Sequence, residues 1–421
     1  MNIADITMQF VKYRITRFDI QIPGHEIIKV DTDKIGDFTI EKDYENFYFP
    51  YIEITVMLPK NIRELVLKNH DNVSVYMKLE YGHFDDLYDT DIEKVLYGYG
   101  SIFDQKFYAL IEDESPQLTS GNQSDRRMEE IGTDMQAIEL KPLQMALYNY
   151  DHFFGTNQIV NAILGDASYS DAILYCMNKA NVKSLLMSPA QKNSVHSQII
   201  LTPIPLLEQL NRLCNEYHIH NAGTLIFFDI DCVYILDKRI GCTAYRNNEY
   251  KTTYLTSFPY TKDGSQVLTG FYANSKERYS AINVTGNMID IRGVSTTMDK
   301  ISGRNAIVIN SNSGKVTRSS ANLKMPSSAL NRVNKVVVAD TGDDPSSAMA
   351  QSMEKTQRII SLLCSDININ ALTPNKEFCF TTDNPKYTNL CGKYRIVYLN
   401  ASFAKDGPMY KIASTCQFVG G

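Results

Sequence analysis

The chain contains no tryptophan among its 421 residues, and none of its eight cysteines sits in a CxxC pair. Cys176, Cys214, Cys232, Cys242, Cys364, Cys379, Cys391 and Cys416 are widely spaced. That spacing argues against a zinc ribbon or a disulfide framework and for reduced, packed thiols, folded in a reducing cytoplasm. No run of about 18 apolar residues occurs, so no membrane span is expected. Met1 to Phe18 is broken by Asp5, Lys12 and Arg14 and lacks the apolar core of a signal peptide. Strong charge is missing as well: a net charge of -6 is mild and lacks the basic footprint of a general nucleic-acid binder.

Recognisable chemistry is equally scarce. A nucleophile elbow needs a GxSxG pentapeptide, and none is present. Asn312 to Lys315 has the end of a phosphate loop, but the position that needs its first glycine is Ile309. Gly98 and Gly100 lack the third glycine and following helix of a dinucleotide site, and strand bends explain them better. Asp229 and Asp231 form a DxD pair without further acidic ligands nearby in sequence, so they read as turn residues. His218 and His220 would face the same way on a strand, but two ligands fall short of a zinc site. No catalytic, cofactor or metal residue is therefore assigned.

What the sequence has in abundance is tyrosine (26) and phenylalanine (18), a combination suited to β-rich architecture. Hydrophobic content of 43% supplies a sizeable core, and the length exceeds what one core usually organises. Residues 1–145 alternate with period two: Ile52, Ile54, Val56 and Leu58 share one face, and Val73, Val75, Met77, Leu79 and Tyr81 repeat it. Pro59 opens a short helix between them, ending near Asn69. Strands are also expected at Val95–Ile102 and Lys106–Ile111, with a polar loop at Gln117–Arg127. Residues 146–240 change period. Helices are expected at Gln158–Leu164 and at Ser170–Ala180, the latter capped by Ser168 or Ser170. A third helix runs from Leu206 through Leu207, Leu210, Leu213, Cys214 and Tyr217, and Gly223 then opens a hairpin, GTLIFFDIDCVYIL.

Residues 241–421 return to strands at Tyr279–Val284, Asn287–Ile291, Ala306–Asn310, Lys335–Ala339, Ile367–Asn370, Phe378–Thr381, Tyr394–Leu399, Tyr410–Ala413 and Cys416–Val419. One long helix is expected among them, with Asp344 as N-cap, Pro345 at its first position, and Met349, Met353, Thr356, Ile360 and Leu363 on one face. Charge is uneven: Tyr81–Ser115 holds nine acidic residues, whereas Ser295–Val336 holds seven basic residues against Asp299 alone. Solvated loops account for such runs, and the sharper reading is complementary patches between subunits. Lys315, Arg318 and Lys324 are the candidate partner-interface residues.

Leu206 to Tyr217 with the hairpin resembles a segment of the tail-hub proteins of tailed bacteriophages. The run from Asp344, with LTPNKEFCF at Leu372–Phe380 and CGKYRIVYL at Cys391–Leu399, is similar to the same proteins. The resemblance covers about a quarter of the chain. It implies a β-rich α+β fold: two tail-tube-like β-barrel domains (1–145 and 241–421), each with a packed helix, flanking a smaller α+β module (146–240). It also implies a virion component assembled in the host cytoplasm. In that role a homotrimer joins a hexameric tail tube to a trimeric spike and other baseplate proteins, with no sequence-specific nucleic acid, no membrane span and no cofactor. A tail-associated cell-wall hydrolase, or another tube or connector protein, are the alternatives.

Overall fold

The computed structural model describes residues 9–85, 96–111, 140–217, 219–220, 223–238, 252–257, 279–284, 290–294, 305–310, 316–320, 335–339, 357–365, 367–382, 385 and 387–420. The first elements are β1 (Gln9–Gln21), β2 (Ile28–Lys29), β3 (Ile35–Asp43), β4 (Tyr51–Pro59), α1 (Lys60–Lys68), β5 (Ser74–Asp85), β6 (Leu96–Leu110) and β7 (Leu140–Asn149). Then follow α2 (Tyr150–Thr156), β8 (Ile159–Ala167), α3 (Tyr169–Lys179), β9 (Leu185–Met187), β10 (His196–Pro205), α4 (Leu206–Asn211), β11 (Thr224–Phe228) and β12 (Val233–Asp237). The remainder is β13 (Thr252–Ser257), β14 (Tyr279–Val284), β15 (Asp290–Val294), β16 (Asn305–Asn310), β17 (Val316–Ser320), β18 (Lys335–Ala339), β19 (Gln357–Ser365), β20 (Glu377–Thr381), β21 (Gly392–Asp406) and β22 (Met409–Gly420).

Eight strands close an antiparallel barrel in the order β21-β3-β4-β7-β6-β5-β1-β22, with β22 returning to β21. Closure removes the open edges that alternating apolar strands would otherwise present. The alternation is filled as expected: Ile52, Ile54, Val56 and Leu58 of β4 and Val75, Met77 and Leu79 of β5 are buried. Helix α1 starts after Pro59, buries Val66 and lies across β4 and β7. The two strands expected at 95–111 are one long strand, β6. Gly100 lies under the ring of Tyr81, its register partner, where a Cβ would collide. That contact explains the glycine as a strand feature.

The barrel does not end at residue 145. Strands β21 and β22, from the far end of the chain, complete it. The same two strands continue into a second ring, β13-β20-β21-β22-β19-β14, closed by the pairing of β14 with both β13 and β19. β13 runs parallel to β14 and β20, and the other pairs of this ring are antiparallel. Strands β16, β17 and β18 form a separate three-stranded sheet.

Three expectations are corrected. The segment expected as a helix at Gln158–Leu164 is not helical: from Ile159 on it belongs to strand β8, paired with β10. Ile159 and Ile163 recur at i and i+4 because the strand carries isoleucines on its exposed face as well as apolar residues on its inner one, which imitates a helical stripe. Ile360 and Leu363 lie on strand β19, where Ile360, Leu362 and Cys364 alternate inward; Asp344 through Thr356 fall outside the described residues. Ile369–Ala371 is a 3-10 turn, with the Asn368 side chain accepting from the Asn370 N–H at 3.0 Å. The capping reading stands: Ser168 and Asp171 exchange the two hydrogen bonds of a capping box at the start of α3.

Candidate functional site

The hairpin β11–β12 is buried on both faces, which is why its sequence reads as two nearly continuous apolar runs. Leu225, Phe227, Cys232, Tyr234 and Leu236 join the core shared with the barrel. Ile226, Phe228, Val233 and Ile235 point the other way, into a second core with α3, α4 and the inner faces of β8 and β10. Each such side chain contributes about 1.5–3 kcal/mol on full burial. The hairpin is therefore the wall between barrel and module. Gly223, at φ +93, makes the turn into it, a conformation that a side chain strongly disfavours.

The hairpin covers the barrel end where β3 and β7 finish. Lys42 continues the inward series of Phe38 and Ile40 on β3, and its ammonium lies 2.7 Å from the Asp229 carboxylate. Both side chains are buried, at 6% and 1% exposure. Asp229 also keeps its turn role, accepting the Ile230 N–H at 2.8 Å. Around this pair the Tyr44 ring meets Phe227 edge-on at 4.5 Å, and the Asn149 side-chain amide donates to the Ile230 carbonyl at 2.8 Å. Burial pushes the Tyr44 and Tyr234 hydroxyls well above the ordinary tyrosine range. Burial also lowers His152, whose ring packs at 5.8 Å from Phe228.

A second ionic cluster sits at the rim. Glu45, in the β3–β4 connection, meets Arg395 of β21 at 2.5 Å and Lys238 after β12 at 2.8 Å. Burial acts to raise the Glu45 carboxyl, and the two cations overcome it and hold it below the ordinary value. Barrel, shared strand and module thus converge on one carboxylate.

The outer side of the β8–β10 ribbon carries Ile159, Ile163 and Ile200, exposed at 69%, 67% and 57%, and Ile163 pairs directly with Ile200. Ile163 and Ile200 thus form an exposed apolar cross-strand pair, with Ile159 further along the same face beyond Asn161.

Among the residues singled out from sequence, Asp229 is an ion-pair partner as well as a turn residue, while Asp231 is exposed at the tip. His220 is buried before β11, its Nδ1 3.0 Å from the Thr224 hydroxyl, and His218 is outside the described residues. Among the described residues no three of His, Cys, Asp and Glu gather as a metal site would require. Arg318 lies on β17, in register with Ile307; Lys315 and Lys324 lie outside the described residues. Lys42, Glu45, Lys238 and Arg395 escaped the sequence reading. The one available signal was a lysine at an inward position of an apolar strand.

Closed barrel, second ring and ionically locked module define a protein built on β-barrels. The chain belongs to the Bacteriophage PBS1 gene 109 protein family, whose model matches residues 16–418. Among solved structures it is similar to a tail protein from Neisseria meningitidis, with 8% identity, a TM-score of 0.47, and coverage of 97% of this chain and 96% of that one. It is also similar to a 43 kDa tail protein of prophage MuSo2 from Shewanella oneidensis, with 8% identity, a TM-score of 0.45, and coverage of 95% and 97%. The prophage tail protein gp18 from Listeria monocytogenes shows 9% identity, a TM-score of 0.41, and coverage of 96% and 95%. No curated protein matches the chain.

Proposed function

We propose that this phage-family protein is a non-enzymatic structural component of the virion. In this reading it is the central hub of a tail tip or baseplate and joins a hexameric tail tube to a trimeric spike as a homotrimer. The observation that carries the reading is the pair of strand rings built on shared strands β21 and β22 within a chain of a phage family. Two barrels per subunit allow three subunits to present six, which is the number a hexameric tube needs. The segments 1–145, 146–240 and 241–421 serve as the units of that plan, with residues 392–420 contributed to both rings. Assembly takes place in the host cytoplasm, and Lys315, Arg318 and Lys324 contact a partner in the assembled tail.

The test is the native mass of the purified chain by light scattering over a range of concentrations. A trimer of the 47.7 kDa chain supports the hub. A hexamer or an open polymer would replace it with a tube or connector role, and a strict monomer that also fails to trimerise with tube or spike would refute it. Charge reversal at Lys315, Arg318 and Lys324 should impair assembly while the subunit still folds. Normal assembly of that variant would return the stretch to solvated surface.

A further inference from the structure

The outer surface of the barrel is charged in two different ways. Across β1, β5, β22 and the end of β21, carboxylates are matched by cations: Glu80 meets Arg14 and Lys78, Asp406 meets Lys12 and Lys411, and Asp19 meets Arg17. On the opposite side, over β3, β4, β7 and the middle of β21, no ion pair forms among the described residues: Lys393 of β21 pairs with Glu377 toward the second ring, and the Lys405 ammonium is taken by the carbonyls of Thr32, Asp33 and Ile35. Asp37, Glu41 and Asp43 project outward from β3 and Glu53 from β4. Two rows cross this face in register, Asn400–Glu41–Tyr51 and Ser402–Thr39–Glu53–Ala146. No lysine or arginine occupies either row.

The donors that the described residues supply to these carboxylates are neutral. Glu41 accepts from the Tyr51 hydroxyl at 2.5 Å, Glu53 from the Gln144 amide, and Asp37 from the Lys405 backbone N–H at 2.8 Å. Asp43 accepts from the Asn46 side chain at 2.8 Å. Hydrogen bonds of this kind orient carboxylates without neutralising them. The face is also concave: small side chains at Thr39, Thr55, Ser402 and Ala404, between Asp37 and Glu53, leave a cavity of about 280 Å³. Tyr51 and Tyr148 flank it with rings 6.3 Å apart. An uncompensated acidic groove edged by tyrosines has the chemistry of a protein interface for a basic partner.

The chain itself contains the complement. Residues 295–336 carry seven basic residues against one acidic residue, and β17, which bears Arg318, belongs to a sheet that pairs with no strand of either ring. We propose that the groove of one subunit seats the basic stretch of a second copy of this chain, forming the contact that sets the register between neighbouring subunits. This rests on the oligomeric hub reading and adds the contact surface to it.

The test dissociates a mixture of full-length protein of natural isotopic abundance and ¹⁵N-labelled protein, lets it reassemble so that subunits are exchanged, couples carboxylates to amines with a zero-length carbodiimide, and maps the links by mass spectrometry. Mixed-isotope links joining Asp37, Glu41 or Glu53 to Lys300, Lys315 or Lys324 are expected. Links within single-isotope molecules alone would show that the stretch covers its own barrel. Failure of the groove to link while Lys12 couples to Asp406 would remove the contact altogether. Either result overturns the proposal.

The doubly neutralised variant Asp37→Asn with Glu53→Gln retains the hydrogen-bond acceptors. It should raise the subunit dissociation constant by about tenfold at low salt, with the difference shrinking as salt screens the charges. An unchanged constant in a variant of normal melting temperature would count against the groove. The native mass of the parent chain separates the two readings: a trimer without mixed-isotope links refutes the groove and leaves the hub, whereas a monomer that also fails to trimerise with tube or spike refutes both.

Discussion

Replacing Asp229 with Asn changes one charge and almost no volume, so it isolates the ionic part of the barrel–module junction. The variant keeps a side-chain acceptor for the Ile230 N–H, now 2.8 Å from Asp229, and so preserves the turn. What it loses is the counter-charge of Lys42, whose side chain is only 6% exposed. Removing one member of a buried pair leaves the other charge uncompensated, at a cost of about 3–5 kcal/mol. For a cooperative unit of about 150–250 residues, at about 2–4 °C per kcal/mol, Tm should fall by about 6–20 °C. The assay is thermal unfolding of the full chain followed by near-ultraviolet circular dichroism. Hydrogen exchange at the β11 and β12 amides localises the effect. Lys42→Met combined with Asp229→Asn should recover most of the loss, because no unpaired charge remains. Asp231→Asn, at the exposed tip, should stay within about 0.5 kcal/mol of the parent. An Asp229→Asn variant that melts within about 1 °C of the parent, with unchanged exchange in the hairpin, would refute the reasoning and leave Asp229 as a turn residue alone.

Acid should loosen the same junction in two steps. Burial holds folded His152 below 6.5, so its contribution is complete above about pH 6.5 and is lost as pH falls below that value and the unfolded chain takes up the proton first. Glu45 is held below 4.5, so its contribution is present above that value and is lost as pH falls through its lower folded value. Urea unfolding from about pH 8 down to about pH 2 checks both, and His152→Phe should remove the upper step only. The Tyr13 hydroxyl donates to the Ile367 carbonyl at 2.5 Å and accepts from the Ile369 N–H at 3.0 Å, so Tyr13→Phe should cost about 1–3 kcal/mol in denaturant unfolding. Ser168→Ala, which removes the cap of α3, should cost about 0.5–2 kcal/mol by the same measurement.

Elements whose two faces differ in polarity, or are both buried, were legible in the sequence. β4 and the first part of β5, through Leu79, alternate without interruption, the Ser168–Asp171 box announces α3, and the unbroken apolar runs of β11 and β12 marked the hairpin. β1 was not legible because a bulge between Ile15 and Arg17 shifts its phase. Tyr13 and Ile15 are buried before it and Phe18 and Ile20 after it, so no single period fits the strand. β21 carries a like bulge between Ile396 and Tyr398, and of its 15 residues only Tyr394–Leu399 was expected as strand. β8 was misread because its exposed face is apolar, so burial and hydropathy part company there. The junction was beyond sequence reasoning for another reason: Lys42 and Asp229 stand 187 positions apart, and nothing local marks either as the partner of the other.

The shared strands constrain how such a subunit can respond to its neighbours. β21 spans 15 residues and β22 spans 12, and each contributes to both rings, their mutual ladder interrupted only by the bulge between Ile396 and Tyr398. A rotation of one ring against the other would have to shear or bend the β21–β22 ladder, whose register runs from Tyr394 with Gly420 to Asp406 with Met409. Many backbone hydrogen bonds oppose that motion together, whereas the module is held to the barrel by one wall of side chains and two ionic clusters. Strain imposed by a partner should therefore appear first at the Lys42–Asp229 and Glu45–Arg395–Lys238 contacts. In the proposed hub, which would present two barrels at fixed spacing, this is the favourable distribution of stiffness, because the rings keep their relation while the module gives.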